Sequence, residues 1–499
     1  MSKDLKNNFK AKFLSVLFWA VISAAFIGPG TVASCTQAGA YHRFDLMWTM
    51  VFSIIGCIFL QEATARITMI SGKNLGQAIA IFFEGKTQKA IIFILIVGAI
   101  IIGCAAYETG NILGAVEGLL LIFPKLELNI KHLIPDFYIK IELFKELNPF
   151  FSELKISKII FVFIIGILVY LVFKFRSIRT IANSMGIIVF LMGIAFVTTF
   201  IFLKPSMSEF LRGSFIPTIP KDYGVSTIPG PGILILAIIG TTIVPYDMFL
   251  GSSLASRKQS IIDMRFGISF SIILGGIISM AIIGVGSSVT EGMDEEAIKG
   301  MTFSFKLLSD VLEIYIGKWS VYIFGFGLFA AGFSSAITSP LASALTASSL
   351  FSQNNPEKWK IHSPKFMKII FFVVSVGLFF GFLNVKPIPV IIMAQAMNGL
   401  ILPFISVFLL FVVNDYKIMG KDGINGVISN IFMTFTVWIT MIIGIVNIFK
   451  AIMSAFGIKT ILNDSIIIII GSTTFVISIF ILIVLYRRRS KYILNQVLD

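Results

Sequence analysis

Charge is scarce in this sequence. Only 13% of its 499 residues are Asp, Glu, Lys or Arg, with 26 acids against 40 Lys and Arg. Soluble domains carry about a quarter charged residues, so the deficit excludes an ordinary soluble enzyme, a disordered chain and a coiled coil. Cysteine is nearly missing. Cys35, Cys57 and Cys104 sit in apolar segments with no Cys-x-x-Cys spacing, which excludes a disulfide framework and a thiolate metal site. They read as small helix-packing residues. The only histidines, His42, His132 and His362, fall outside the apolar blocks, which argues against a buried imidazole metal or proton site. No continuous basic patch accompanies the formal charge of +14, so nucleic acid is not expected as a partner. No nucleophile–base constellation, phosphate loop or cofactor motif appears, so the chain is not read as an enzyme. No small-residue cleavage site follows the first apolar block, so no cleavable signal peptide is expected.

What is present is apolar. Hydrophobic residues make up 57% of the chain, Phe alone supplies 50, and mean hydropathy is +0.94. The apolar residues come in blocks of about 20, the length of a bilayer-crossing helix. Twelve spans are expected, near 12–40, 45–70, 89–123, 157–174, 180–203, 231–256, 265–288, 319–351, 366–385, 387–413, 424–448 and 465–486. The chain therefore reads as an all-α polytopic membrane protein with the lipid bilayer as its partner. Lys and Arg cluster in the N-terminal tail, in the loops after even-numbered spans (Lys73, Lys86, Lys89; Lys174, Arg176, Arg179; Arg257, Lys258, Arg265; Lys358 to Lys368) and in Arg487, Arg488, Arg489 and Lys491. The opposite loops are mixed or acidic, as at Glu291, Asp294, Glu295 and Glu296. Basic short loops stay in the cytoplasm, so both termini are expected there, in a plasma (cell inner) membrane. The long 124–156 connection alternates charge with Leu, Ile and Phe and reads as an amphipathic surface segment.

Two spans carry helix breakers at their centres. The first reads Phe26-Ile27-Gly28-Pro29-Gly30-Thr31, the sixth Thr241-Thr242-Ile243-Val244-Pro245-Tyr246-Asp247. Proline removes a backbone donor and clashes with the preceding turn. Irregular backbone at membrane depth is tolerated only where protein or a polar cavity satisfies it. Breaks at spans one and six fit an inverted repeat of five plus five helices with a substrate held between the unwound segments. The division expected is a tail over 1–11, a first repeat over 12–203, an outside loop over 204–230, a second repeat over 231–413, two extra C-terminal helices over 414–486 and a tail over 487–499. No signalling domain is expected after residue 487.

The stretch Phe26–Gln77 resembles the start of the natural resistance-associated macrophage protein family of metal-ion transporters. Leu60-Gln61, Ala63 or Ala65, Arg66 and Gly72 match a motif that follows the family's first broken helix, Asp-Pro-Gly-Asn. Val244-Pro245-Tyr246-Asp247 stands where the family has Met-Pro-His-Asn. Gly332-Phe333-Ser334-Ser335-Ala336-Ile337-Thr338 is similar to its Gly-Gln-Ser-Ser-Thr-Ile-Thr. Gln395, Leu402-Pro403-Phe404 and Asp415 to Gly420 resemble its tenth span and the loop beyond. The resemblance covers about residues 12–420. It implies the leucine-transporter-type fold, ten core helices in two inverted repeats, and carriage of Mn2+, Fe2+ and related divalent ions, usually coupled to protons.

The signature residues are changed. Aligned on Pro29 and Pro245, the family's metal-binding Asp is Gly28, its Asn is Thr31, its Met is Val244, its His is Tyr246 and its last Asn is Asp247. Thr241 takes the place of the small residue that offers its carbonyl. Val244 lacks the thioether that selects softer metals. The candidate site is then oxygen from Gly28, Thr31, Thr241 and Gln395, with Gly28 leaving more room than Asp. Such a site suits a hard cation that keeps some of its water, and Mg2+ dehydrates reluctantly. Some divergent branches of the family are known for Mg2+ transport. The substrate expected is a divalent metal ion, Mg2+ or Mn2+ favoured, carried by a monomer.

Asp247 has two readings. A carboxylate at membrane depth is a functional candidate, here as ligand or coupling group. It could equally cap the restarted helix. Glu108 and Asn111 stand at the family's Asp-x-x-Glu of the proton route, and Glu117 lies nearer the helix end. Gly28, Asn111 and Tyr246 together remove three titratable positions, so proton coupling is in doubt. Glu62 and Arg66, four apart, read as a pair or gate contact. The alternatives are an organic-solute carrier on the same fold, admitted by a neutral and roomier site, and a membrane sensor without transport.

Overall fold

The computed structural model describes residues 3–82, 85–133, 135, 140, 142, 155–225, 228–352, 356–383, 401–455 and 464–498. Gln395, much of the expected tenth span and most of the 124–156 connection lie outside them. The first half of the chain runs α1 (Lys3–Phe26), α2 (Pro29–His42), α3 (Met47–Ser71), α4 (Leu75–Phe82), α5 (Lys86–Ile96), α6 (Gly103–Ile122), α7 (Leu126–Leu133), α8 (Ile156–Phe175), α9 (Ile178–Phe202) and α10 (Met207–Phe215). A π-helical turn, Val97–Ile102, joins α5 to α6. The second half runs α11 (Pro231–Thr242), α12 (Pro245–Leu254), α13 (Ile261–Ser287), α14 (Glu295–Gly300), α15 (Phe305–Ile316), α16 (Trp319–Phe351), α17 (Pro364–Phe382), α18 (Ile401–Val412), α19 (Tyr416–Gly423), α20 (Val427–Ala455) and α21 (Asp464–Leu498).

Local chemistry sets many helix starts. Ser177, Ser206, Ser260, Asp294, Ser304 and Ser363 each accept a hydrogen bond from the backbone N–H three residues on. That satisfies a donor the first turn leaves orphaned. Gly72 ends α3 with φ 73°, the left-handed conformation glycine adopts without strain.

Among the described residues, ten helices are long and apolar enough to cross a membrane. An eleventh crossing is a bent pair, Lys12–Phe26 with Pro29–His42, turned by 66°. The short apolar helix Ile401–Val412 falls within the expected tenth span. Three boundaries differ from expectation. Helix α1 begins at Lys3, α21 continues to Leu498, and the 204–230 loop contains α10. The Lys, Arg, Leu and Phe that flank the apolar blocks are adequate helix formers, so the helices continue past the apolar edge.

The bundle closes through small residues. A Cβ added at Gly39 of α2 would lie 1.9 Å from the Ile283 carbonyl oxygen of α13, and one at Gly286 would lie 2.3 Å from the Thr36 carbonyl oxygen. The two backbones approach so closely that neither position has space for a side chain. Helices α6 and α16 meet the same way, with the Cβ position of Gly332 2.3 Å from the Ala115 nitrogen. These two seams hold α2 and α6 around the first break. Cys35, Cys57 and Cys104 are buried free thiols.

Basic loops gather at one end. Arg179 and Lys258 line one cleft with Ser15 of α1, and Arg257 donates to the Ile70 carbonyl. A cavity of about 900 Å3 lined by Asp45, Glu209, Arg212, Asp222, Asp294 and Glu295 opens in the other set of loops. There Arg43 pairs with Glu209 at 3.2 Å. Burial pushes the Asp45 carboxyl up, and Arg212 draws it partly back.

Candidate functional site

Each break lies just before a proline. Pro29 and Pro245 have no N–H, so the carbonyls four residues earlier, Ala25 and Thr241, lose their helical donors. At the first break every carbonyl from Ser23 to Phe26 has a donor, Ser23 keeping its helical one and the other three finding replacements. Ile27 N–H reaches Ser23 O at 2.9 Å, the Ser335 hydroxyl reaches Ala24 O at 3.3 Å, and the Tyr246 hydroxyl reaches Ala25 O at 2.7 Å. Phe26 O accepts from Gly28 N–H and from the Thr31 hydroxyl. At the second break the Thr241 and Thr242 hydroxyls both turn back to Ile238 O at 3.0 Å. No hydrogen bond among the described residues reaches the Thr241 carbonyl. The two breaks are thus alike in sequence and unlike in satisfaction: one has its carbonyls capped, the other has a carbonyl free.

Tyr246 ties the breaks together, since it follows Pro245 on the second and donates to the first. Its ring packs edge-on to Tyr107 of α6 with centroids 6.0 Å apart. Pro29 rests against α6 where Gly114 has no side chain, the Cβ position there being 2.3 Å from Pro29 Cγ. Val244 is the residue before α12, extended at φ −104° and ψ 127°, as a residue preceding proline favours. Its buried side chain brings no donor atom to the site.

Asp247 is fully buried, on the first turn of α12. Its Oδ2 accepts from the Gln61 amide of α3 at 2.8 Å, while Asp247 Oδ1 and Gln61 Oε1 have no hydrogen-bond partner among the described residues. Among the described residues no backbone N–H donates to the carboxylate, so the capping reading of Asp247 is not what the structure shows. Gln61 reaches Asp247 because residue 251 is glycine: a Cβ there would lie 2.5 Å from Gln61 Oε1. An amide and a carboxylate, with two oxygens left over, form an acceptor-rich spot suited to a cation or a proton donor. Sequence reasoning noted Gln61 only as part of a motif. A lone amide inside an apolar span was the available signal.

Two polar side chains stand beside Gly28. The Cβ position there lies 2.7 Å from Ser335 Oγ and 3.6 Å from Asn111 Oδ1. Asn111 in turn donates to Glu108 Oε2 at 3.3 Å. Glu108 is fully buried, its Oε1 without a partner among the described residues, and it packs against α17 where Gly377 has no side chain. Glu117, a turn and more further along α6, faces Lys158 and Lys155. Ser335, singled out in the sequence only as part of a motif, is therefore a polar neighbour of the break. Gln395 lies outside the described residues.

Glu62 and Arg66 form the expected pair, Arg66 Nε to Glu62 Oε1 at 2.9 Å. The pair belongs to a larger network. Arg265 of α13 holds the same Glu62 oxygen at 2.9 Å, and Arg66 also donates to the Gly423 carbonyl and Asn425 Oδ1. This knot ties α3, α13 and the turn after α19 at the end of the bundle bearing the basic loops. His42 is buried at the last turn of α2, just beyond the 12–40 apolar block, and stacks on Tyr223. Among the described residues no group of three His, Cys, Asp or Glu is placed to hold a metal.

Two helices broken at matched prolines, cross-tied in an all-helical bundle, define an all-α membrane protein of the leucine-transporter type with two inverted five-helix repeats. A family model described as natural resistance-associated macrophage protein-like matches residues 19–151 and 147–450. The chain belongs to that family. Similar curated proteins include two from Oryza sativa subsp. japonica. Metal transporter Nramp5 is 22% identical over 335 residues, 64% of this chain and 55% of that protein. Metal transporter Nramp3 is 25% identical over 353 residues, 68% of this chain and 56% of that protein. The chain thus matches a little over half the length of each. Among solved structures, the manganese transporter of Eremococcus coleocola in complex with an aromatic bis-isothiourea compound superposes with a TM-score of 0.64 at 18% identity, covering 99% of this chain and 97% of that one. MhsT in complex with L-phenylalanine superposes with a TM-score of 0.53 at 15% identity, covering 87% and 98%. At these identities the structures speak to the fold alone.

Proposed function

We propose that this protein carries divalent metal cations across the membrane by alternating access, favours hard ions such as Mg2+ or Mn2+, and does not depend on proton coupling. The observation that carries the reading is Asp247, the only carboxylate in either break, fully buried, with one of its oxygens and the Gln61 oxygen without a partner among the described residues. A dication in a low-dielectric site requires compensating charge, and Asp247 supplies it where Gly28 does not. The other candidate ligands are neutral oxygens: the free Thr241 carbonyl, the hydroxyls of Thr31 and Thr241, and Gln395. Val244 offers no sulfur, so the donor set is hard. The relatives named metal transporters and a manganese transporter support a metal cargo. The basic loops support a reading with both termini cytoplasmic in a plasma membrane, and the proposed carrier is a monomer. The knot of Glu62, Arg66 and Arg265 then closes the cytoplasmic end.

The polar side chains beside Gly28 speak against a bulky organic solute. Purified protein in liposomes, given Mg2+, Mn2+, Ca2+, Cd2+ or amino acids, tests the reading. Saturable uptake of Mg2+ or Mn2+ is expected, with Cd2+ failing to compete at low micromolar concentration. Uptake of an amino acid alone would overturn it. A second expectation concerns coupling. Gly28, Asn111 and Tyr246 cannot exchange protons near neutral pH. An internal pH dye should therefore show no acidification that scales with metal flux, and a proportional signal would reject uncoupled transport.

A further inference from the structure

The two proline-orphaned carbonyls, Ala25 and Thr241, occupy equivalent places in the repeats, yet among the described residues only Ala25 has a donor. That donor is the Tyr246 hydroxyl at 2.7 Å, and the neighbouring Ala24 carbonyl is held by Ser335 at 3.3 Å. Both hydroxyls come from the second repeat, Tyr246 on α12 and Ser335 on α16. Both are buried, so no bulk water competes for these bonds. A backbone carbonyl that accepts a hydrogen bond is a poorer ligand, because the donor uses one of its two lone pairs and stands on one line of approach for a cation.

We propose that Tyr246 and Ser335 are specificity-determining residues: by capping the Ala25 and Ala24 carbonyls they leave the site too few bare oxygens to strip a cation completely, so it selects ions that retain water. This rests on the proposed transport of divalent cations and deepens it. Carbonyl oxygens replace hydration shells in ion-selective sites, and their number sets which ions are accepted. Ca2+ takes six to eight oxygen ligands, backbone carbonyls among them, in flexible geometry, whereas Mg2+ keeps several waters. With the caps in place the first break adds little to the coordination. Water carried by the ion completes it, held by Asp247 and the free Thr241 carbonyl.

The test is competition between Ca2+ and Mg2+ for uptake into proteoliposomes containing the full chain. Tyr246→Phe deletes the hydroxyl and keeps the ring against Tyr107; Ser335→Ala deletes the second cap. Thr242→Val is the control, because the Thr242 hydroxyl returns to Ile238 O and caps no proline-orphaned carbonyl. Uncapping should raise the preference for Ca2+ over Mg2+ by about tenfold in Tyr246→Phe, with a smaller rise in Ser335→Ala and none in Thr242→Val. An unchanged ratio in Tyr246→Phe protein that transports overturns the proposal, as does an equal shift in Thr242→Val. Should Tyr246→Phe not transport, binding of Ca2+ and Mg2+ to the purified variant by titration calorimetry reads the same ratio. Wild-type protein that takes up neither ion would instead reject the transport reading beneath it, a distinct result.

Discussion

Asp247→Asn is expected to reduce divalent-cation uptake by about tenfold or more while the protein folds and reaches the membrane in normal amount. The substitution keeps shape and volume. Its carbonyl can still accept from the Gln61 amide, now at 2.8 Å from Asp247 Oδ2, so the tie between α3 and α12 survives. Only the negative charge is lost. The Thr241 carbonyl, the hydroxyls and the Gln61 oxygen remain, and none offsets two positive charges taken out of water. A helix-capping role predicts almost no effect, because Asn caps nearly as well as Asp. Normal uptake kinetics in well-expressed Asp247→Asn protein would show that the charge is not used. The cargo would then be a largely hydrated ion or an uncharged solute, and the organic-solute carrier would become the leading reading.

Arg66→Ala is expected to lower stability by about 3–5 kcal/mol, the usual consequence of removing one partner from a buried charged network. Arg66 is only 5% exposed and uses all three of its nitrogens, Nε on Glu62, Nη1 on the Gly423 carbonyl and Nη2 on Asn425. Its loss leaves two buried acceptors without donors. Asn425 also bonds Asn430, which exchanges bonds with Asn414, and Arg489 of α21 reaches Asn414 at 3.0 Å. The damage should therefore spread from α3 to the C-terminal helix. Glu62→Gln should be milder, since Arg66 keeps Gly423 and Asn425. Thermal melting of the purified variants in detergent checks the order. Equal, small shifts would place the network among solvated surface pairs, which contribute about 0–1 kcal/mol.

Much of the fold was legible because the relevant signals are local or periodic. Apolar blocks of bilayer length report spans, since backbone polar groups in lipid must be satisfied within the helix. Pro29 and Pro245 report breaks wherever they sit, because a missing N–H is a covalent property. The Glu62–Arg66 pair followed from a four-residue spacing. The site itself was legible only in part. Gly28, Thr31, Thr241, Val244, Tyr246 and Asp247 were candidates from the two breaks and the family resemblance, but their partners were not legible. Gln61 lies 186 residues from Asp247, Tyr246 lies 221 from Ala25, and Ser335 lies 311 from Ala24. No periodicity links residues so far apart.

The sequence by itself determined that this is a helical membrane protein of two repeats, that two helices break, and that the break carries one acid and no sulfur. Those facts reside in residue identity and short spacings. Only the tertiary structure decided which orphaned carbonyl is capped, that Asp247 is gripped by an amide and not by its own helix, and that Ser335 and Asn111 stand beside Gly28. The physical reason is that a proline creates a free carbonyl but does not choose its partner. The partner is whichever donor the packing of distant helices delivers, and here the second repeat delivers Tyr246 and Ser335 to the first break and leaves its own Thr241 carbonyl bare.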